Sequence, residues 1–134
     1  MILHADRYFE HRYDVKLDLV CVKWPTIETL YLPEILNSVG LLVENVNNFN
    51  IRNLLIDASE AQLKSSMEEA NQVVYLLMDG LKRSRLEKLA RIESSNVIRE
   101  NLLKHMVTQM NKTTPFETRF FKDMDSAVRW LEAN

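Results

Sequence analysis

The chain has 134 residues, of which 46% are hydrophobic and 27% charged, with 17 Lys and Arg against 19 Asp and Glu for a net charge of -2. A chain of this length is expected to form one domain and to bury about 68% of its unfolded surface, enough for a core without staples. Two glycines and three prolines argue against disordered or fibrous classes, and both signs of charge are interspersed, which argues against a dedicated nucleic-acid surface.

Met1-Ile2-Leu3 is followed at once by His4, Asp6 and Arg7, so no secretory apolar region is expected. No apolar run approaches the ~20 residues of a membrane span. From Tyr8 to Tyr13 the residues Phe9, His11 and Tyr13 alternate with Tyr8, Glu10 and Arg12, the pattern of an edge strand with a wet face. His11 is expected at the surface. Leu17, Leu19 and Cys21 alternate with Asp18, Val20 and Val22 up to Trp24, and the short Asp14 to Lys16 connection predicts an antiparallel hairpin. Cys21 is the single cysteine, so no internal disulfide forms. It reads as a buried, inert thiol in a reducing, cytoplasmic protein.

Pro25 ends the second strand. Pro33 stands where a first helical position falls, and Ile35, Leu36, Val39, Leu42, Val43 and Val46 follow at spacings of three and four, predicting an amphipathic helix of about four turns. Asn47, Asn48 and Asn50 read as the loop that closes it. In Arg52-Asn53-Leu54-Leu55-Ile56-Asp57-Ala58-Ser59 three apolar residues run without a polar partner and stop at an aspartate. A strand buried on both faces and ending at a sheet rim reads this way, and it is taken as the central strand. The strand, helix and strand form a right-handed parallel crossover.

Glu60 to Lys64 is read as a connection. Ser66-Met67-Glu68-Glu69 has the Ser-x-x-Glu spacing of a capping box, so Ser66 is a predicted N-cap. Met67, Ala70, Val74, Leu77, Met78 and Leu81 form the apolar face of the helix, which ends near Leu81. Leu86 to Ile92 is a strand interrupted by Glu87, Lys88 and Arg91, placed nearer the sheet edge than the centre. Ser95-Asn96 caps a third helix whose predicted inner stripe is Ile98, Leu102, Leu103, Met106, Val107 and Met110. Glu117 to Phe121 is the last strand. Asp125 is the predicted cap of a terminal helix in which Val128, Trp130 and Leu131 pack inward.

The predicted fold class is α/β: a single mixed, mainly parallel sheet with an N-terminal antiparallel hairpin and helices on the faces, in the order β-β-α-β-α-β-α-β-α. Trp24 at the end of the paired first strands, Leu55-Ile56-Asp57 at a strand end, and Arg119-Phe120-Phe121-Lys122-Asp123 followed by Ala127 and Trp130-Leu131 carry a resemblance. The chain resembles the STAS-like family, small domains similar to anti-sigma-factor antagonists, and more closely its uncharacterised bacterial branch. The resemblance covers nearly the whole chain, and its motifs are packing patterns.

It implies a non-catalytic protein-interaction or regulatory module that binds a protein partner or a second copy, as a homodimer, through the strand ends and the second helix. In proteins similar to anti-sigma antagonists, a serine at the start of the second helix, within an Asp-Ser-Ser-Gly-like motif, is phosphorylated to switch partner binding. Ser65 and Ser66 fall at the matching place, but Lys64 stands where that motif has its aspartate and Met67 where it has its glycine. A phosphate there gains from the helix amides and Lys64 and loses against Glu68 and Glu69. Simple capping is the preferred reading of Ser66. The candidate interaction or phospho-switch loop is therefore Asp57, Ser59, Lys64, Ser65 and Ser66, at the strand ends where open α/β sheets meet ligands and partners.

The remaining chemistry reads as bland. His4, His11 and His105 lie far apart without ligand spacing, so no metal is expected. Gly40 and Gly80 are the two glycines, both within helical patterns, so no phosphate-cradling loop and no nucleotide or other cofactor is expected. Ser59, His105 and Asp57 lack the local turn chemistry of a catalytic triad. Met67, Met78, Met106 and Met110 read as core filler rather than a soft groove. The other function classes are a binder of an apolar small molecule or lipid, in a pocket between sheet and helices, and an enzyme of unknown type.

Overall fold

The computed structural model of the protein describes residues 1–133. Six strands form the main sheet in the spatial order β1 (Ile2–Ala5), β2 (Glu10–Asp14), β3 (Leu19–Lys23), β5 (Asn53–Asp57), β7 (Lys88–Ile92) and β8 (Glu117–Phe121). The first three pair antiparallel, and β3, β5, β7 and β8 pair parallel. The short connections at the amino end permit hairpins. The later strands run parallel because helices carry the chain back between them: α1 (Leu32–Asn48), α2 (Met67–Leu81) and α3 (Val97–Met110), with α4 (Met124–Glu132) after the last strand. A two-residue parallel ladder joins β4 (Ile27–Glu28) to β6 (Leu63–Lys64).

Alternation along the strands distributes the core. Leu54 and Ile56 share one face with Val20, Val22 and Leu89, against Ile35, Val39, Leu42, Val73, Leu77 and Leu103 of the first three helices. Leu55 faces the other way with Leu19, Ala90 and Ile92, against Ala127 and Leu131 of α4. The central strand is thus buried on both faces, as its unbroken apolar run predicts, and each such side chain contributes roughly 1.5–3 kcal/mol. β7 lies one strand in from the β8 edge.

One glycine sets a helix crossing. A Cβ placed on Gly80 of α2 lies 2.7 Å from Val43 Cγ1 of α1, so the two helices approach more closely there than an alanine permits.

Several boundaries differ from the sequence reading. The first strand predicted over Tyr8 to Tyr13 is β2, over Glu10–Asp14, and the sheet edge is β1, a four-residue segment too short to show an alternating pattern. With β1 outside it, β2 is an interior strand, and His11 is fully buried rather than at the surface. Asn47 and Asn48 belong to α1, and the chain turns at Asn50, which takes φ 52. Asp123, not Asp125, caps α4, accepting from Ser126 N at 2.8 Å. Cys21 is half-buried, and burial raises its thiol above the ordinary value. No helix among the described residues is long and apolar enough to cross a membrane.

Candidate functional site at the carboxyl ends of the strands

The parallel strands end at one rim. Backbone bonds extend the ladders past the strands there: Trp24 N donates to Asp57 O at 2.8 Å, Ala58 N to Ile92 O at 3.0 Å and Glu93 N to Phe121 O at 2.8 Å. Trp24, Ala58 and Glu93 therefore stand side by side at the top of the sheet; α3 starts at Val97, shortly after Glu93, and α2 at Met67, after the intervening β6.

The residues singled out in the sequence occupy this rim in two groups. Asp57 Oδ1 accepts from Ser59 N at 3.0 Å and Ser59 Oγ at 2.6 Å, closing a tight turn. Lys64 ends β6, and Ser66 is the N-cap of α2: its Oγ accepts from Glu69 N at 3.1 Å, while Glu69 Oε1 accepts from Ser66 N at 3.0 Å. Glu69 also accepts from Thr29 Oγ1 at 2.8 Å, and these bonds, the Ser66 amide first, hold its carboxyl below the ordinary range. Ser65 Oγ donates to Ser66 O at 3.1 Å. Among the described residues no hydrogen bond links Asp57 or Ser59 to Lys64, Ser65 or Ser66.

The rim has a second tier that the sequence reading missed, because α3 is rotated relative to its predicted stripe. Ile98 and Leu102 are 76% and 51% exposed, whereas Arg99 and Glu100 are buried with Leu103 and Val107. The cause lies on β7. Arg91, two residues from Leu89, shares with it the face covered by α1, α2 and α3, so an arginine lies beneath α3 and demands a carboxylate. Glu100 supplies it: Arg91 Nε and Nη2 donate to Glu100 Oε1 and Oε2 at 2.9 and 3.1 Å, and Ser94 Oγ donates to Oε2 at 2.8 Å. Burial alone would raise the Glu100 carboxyl, but Arg91 and Ser94 outweigh it and hold it below its ordinary value.

Arg99 has a different partner. Its Nη1 donates to Asn71 Oδ1 of α2 at 2.5 Å, and this is its one side-chain hydrogen bond among the described residues. Burial, and then the charge of Arg91, pull the guanidinium below its ordinary value, with Glu100 opposing. Arg91, Arg99 and Glu100 line a cleft of about 30 Å³ whose other walls include Trp24, Leu63 and Ala70. No group of three or more His, Cys, Asp or Glu among the described residues is placed to hold a metal ion; the charged residues lining this cleft are Arg91, Arg99 and Glu100.

A sequence signal for this tier existed. Leu103 and Val107 are four apart, and stepping back from Leu103 by four and by three, the helical spacings, lands on Arg99 and Glu100, whereas Ile98 is five away. A six-residue apolar stripe spread over too wide an arc hid it.

The chain matches no protein family model and no curated protein. It is similar in structure to an uncharacterized protein from the DUF3478 family, with a SpoIIAA-like fold, from Shewanella loihica PV-4. The two share 20% sequence identity with a TM-score of 0.55, over 98% of this chain and 90% of that one. The likeness spans the sheet and its helices from end to end, and the protein has the SpoIIAA-like form of the STAS-like α/β architecture.

Proposed function

We propose that the protein is a non-catalytic, regulatory interaction module that binds a protein partner through the carboxyl-end rim and the outer face of α3. One observation carries this reading. α3 buries Arg99 and Glu100 and presents Val97, Ile98 and Leu102, which are 64%, 76% and 51% exposed. A helix with its charges inward and its large aliphatic side chains outward suits a surface covered in the working state, since contiguous apolar patches mark interaction sites. Asp57, Ser59, Lys64, Ser65 and Ser66 belong to the same rim and form its polar border in this reading. A cytoplasmic setting is part of the proposal.

The apolar-ligand reading has less support. The layer between sheet and helices is filled by Leu54, Ile56, Val39, Leu42, Val73 and Leu77, all buried. The cleft beneath α3 offers about 30 Å³, far below the ~300 Å³ at which ligand pockets begin.

Ile98→Glu combined with Leu102→Glu tests the proposal. Both sites are exposed, so stability should change by no more than about 0.5 kcal/mol per site. Affinity capture and sedimentation of wild type and variant should then show loss of partner binding, or of self-association where the partner is a second copy. Equal binding by both, at equal thermal stability, would contradict it.

A further inference from the structure

We infer that the cleft between α2, α3 and the ends of β3 and β7 is a binding site for a carboxylate carried on a small apolar body, with Arg99 as its anchor. The inference does not rest on partner docking by the outer face of α3, because the cleft lies on the buried side of that helix.

Charge is the first argument. Arg91 and Arg99 are two cations lining the cleft, and Glu100 is the carboxylate that lines it with them. Glu100 is committed to Arg91 by two hydrogen bonds. The nearby Glu93 is committed elsewhere, to Lys104 at 2.7 Å and Lys122 at 3.4 Å. Arg99 is thus a buried cation, 8% exposed, whose assigned partner is a neutral amide. Buried charges are ordinarily paired, and leaving one without a counter-charge is strongly unfavourable.

Donor capacity is the second. A guanidinium carries five N–H donors, and one of Arg99's meets a protein side chain. The N-terminal turn of α3, from Asn96, borders the same cleft and adds its positive dipole end. Asn96 itself is spent on the cap, accepting from Arg99 N at 3.0 Å.

Size and lining choose among anions. About 30 Å³ is two to three water-sized spheres, at roughly 10–15 Å³ for each. That volume admits the two oxygens of a planar carboxylate, which a guanidinium fork matches, more readily than the four of a tetrahedral phosphate. That volume takes the carboxylate head alone, bounded on the other walls by Trp24, Pro25, Ile27, Leu63 and Ala70, so the alkyl body stays outside the cleft. Such a group reaches the cleft either on a free short-chain acid or at the end of a peptide.

The test is thermal unfolding with sodium propionate against sodium chloride, sodium phosphate and neutral propionamide, at matched ionic strength. Propionate should raise the Tm of wild type by a few degrees through mass action, propionamide should not, and phosphate should do less. Arg99→Gln should abolish the propionate effect. Because that variant leaves Asn71 without its donor and can fail to fold, Asn71→Asp is the decisive second one. It hands Arg99 a carboxylate from within the chain, so it should raise the basal Tm and erase the response to propionate. A wild type that propionate does not stabilise beyond chloride, a response that survives in Asn71→Asp, or a phosphate effect equal to that of propionate would each overturn the assignment. A short peptide with a free carboxyl terminus, compared with its amidated form, identifies the source. Competition with propionate by the free form alone supports a peptide-borne carboxylate, and no competition by either supports a free acid.

Discussion

Arg91 of β7 grips Glu100 of α3 through two hydrogen bonds of 2.9 and 3.1 Å, and this pair fixes the rotation of the helix on the sheet. With Glu100 turned inward, Leu103 and Val107 follow it into the core, and Ile98 and Leu102 are carried to the outside. An ion pair in the core thus determines which apolar surface the protein shows. Glu100→Gln should cost about 3–5 kcal/mol, because Arg91 then lies beneath α3 with no carboxylate. Arg91→Met combined with Glu100→Leu should recover most of that loss, measured by urea unfolding of the two singles and the double. Additive losses would remove the pairing from the account.

His11 gives the protein an acid-sensitive window. Burial, and then the neighbouring His4, lower the ring from 6.5 to about 4, with Asp6 opposing; Nδ1 meets Asn45 Nδ2 at 3.0 Å while Nε2 has no partner. The neutral ring is therefore the folded form. Between 6.5 and about 4 the unfolded chain binds this proton and the folded one does not, so stability falls as pH drops through that window. The full loss is roughly 3 kcal/mol. Asp6 acts below the window: burial would raise its carboxyl, but bonds from Ser38, His4 and the Phe9 and Tyr8 amides hold it well below the ordinary range. His11→Phe should flatten the dependence of unfolding free energy on pH across the window, and an unchanged slope would mean that another group is responsible.

Gly80→Ala sets helix propensity against sterics. In an exposed helix interior alanine gains about 1 kcal/mol over glycine, but here the new Cβ falls 2.7 Å from Val43 Cγ1, on a side chain with one favoured rotamer. Thermal unfolding should show net destabilisation of about 1–3 kcal/mol. Val43→Ala should turn the Gly80→Ala effect favourable, which separates the contact from any general dislike of alanine at that position.

Ser66→Ala should cost about 1 kcal/mol by breaking the capping box, and Ser66→Asp, still an acceptor and suited to the helix dipole, should restore most of it. Urea midpoints of the three proteins decide this. A full loss in the aspartate variant would indicate that Glu69, whose Oε1 meets Ser66 Oγ at 3.1 Å, repels the new charge more than the helix start attracts it.

The sheet was legible where pattern and burial coincide. Leu54-Leu55-Ile56 reads as a two-faced strand because both faces are covered, and Ser66 reads as a cap because the Ser-x-x-Glu spacing is local. β1 escaped because Ile2–Ala5 is held by pairing with β2 rather than by a pattern of its own. His11 was misplaced for the same reason, since its burial follows from a neighbour that the strand itself does not announce. At the site, the rim positions of Asp57 to Ser66 follow from strand order, but Arg91, Arg99 and Glu100 are inward through a contact between β7 and α3. Apolar periodicity registers hydrophobic cores and is silent on a helix that turns its charges inside.

The most direct measurement is thiol labelling of Ile98→Cys in a Cys21→Ala background, with Val15→Cys as the control. Both parent side chains are strongly exposed, and Val15 lies in the turn between β2 and β3, at the other end of β3 from the rim. In the free protein both cysteines should label rapidly. With the captured partner bound, or at concentrations where the chain self-associates, labelling at position 98 should slow at least about tenfold, while position 15 stays fast. Equal labelling at position 98 in free and bound protein would contradict the assignment of α3 as the docking face.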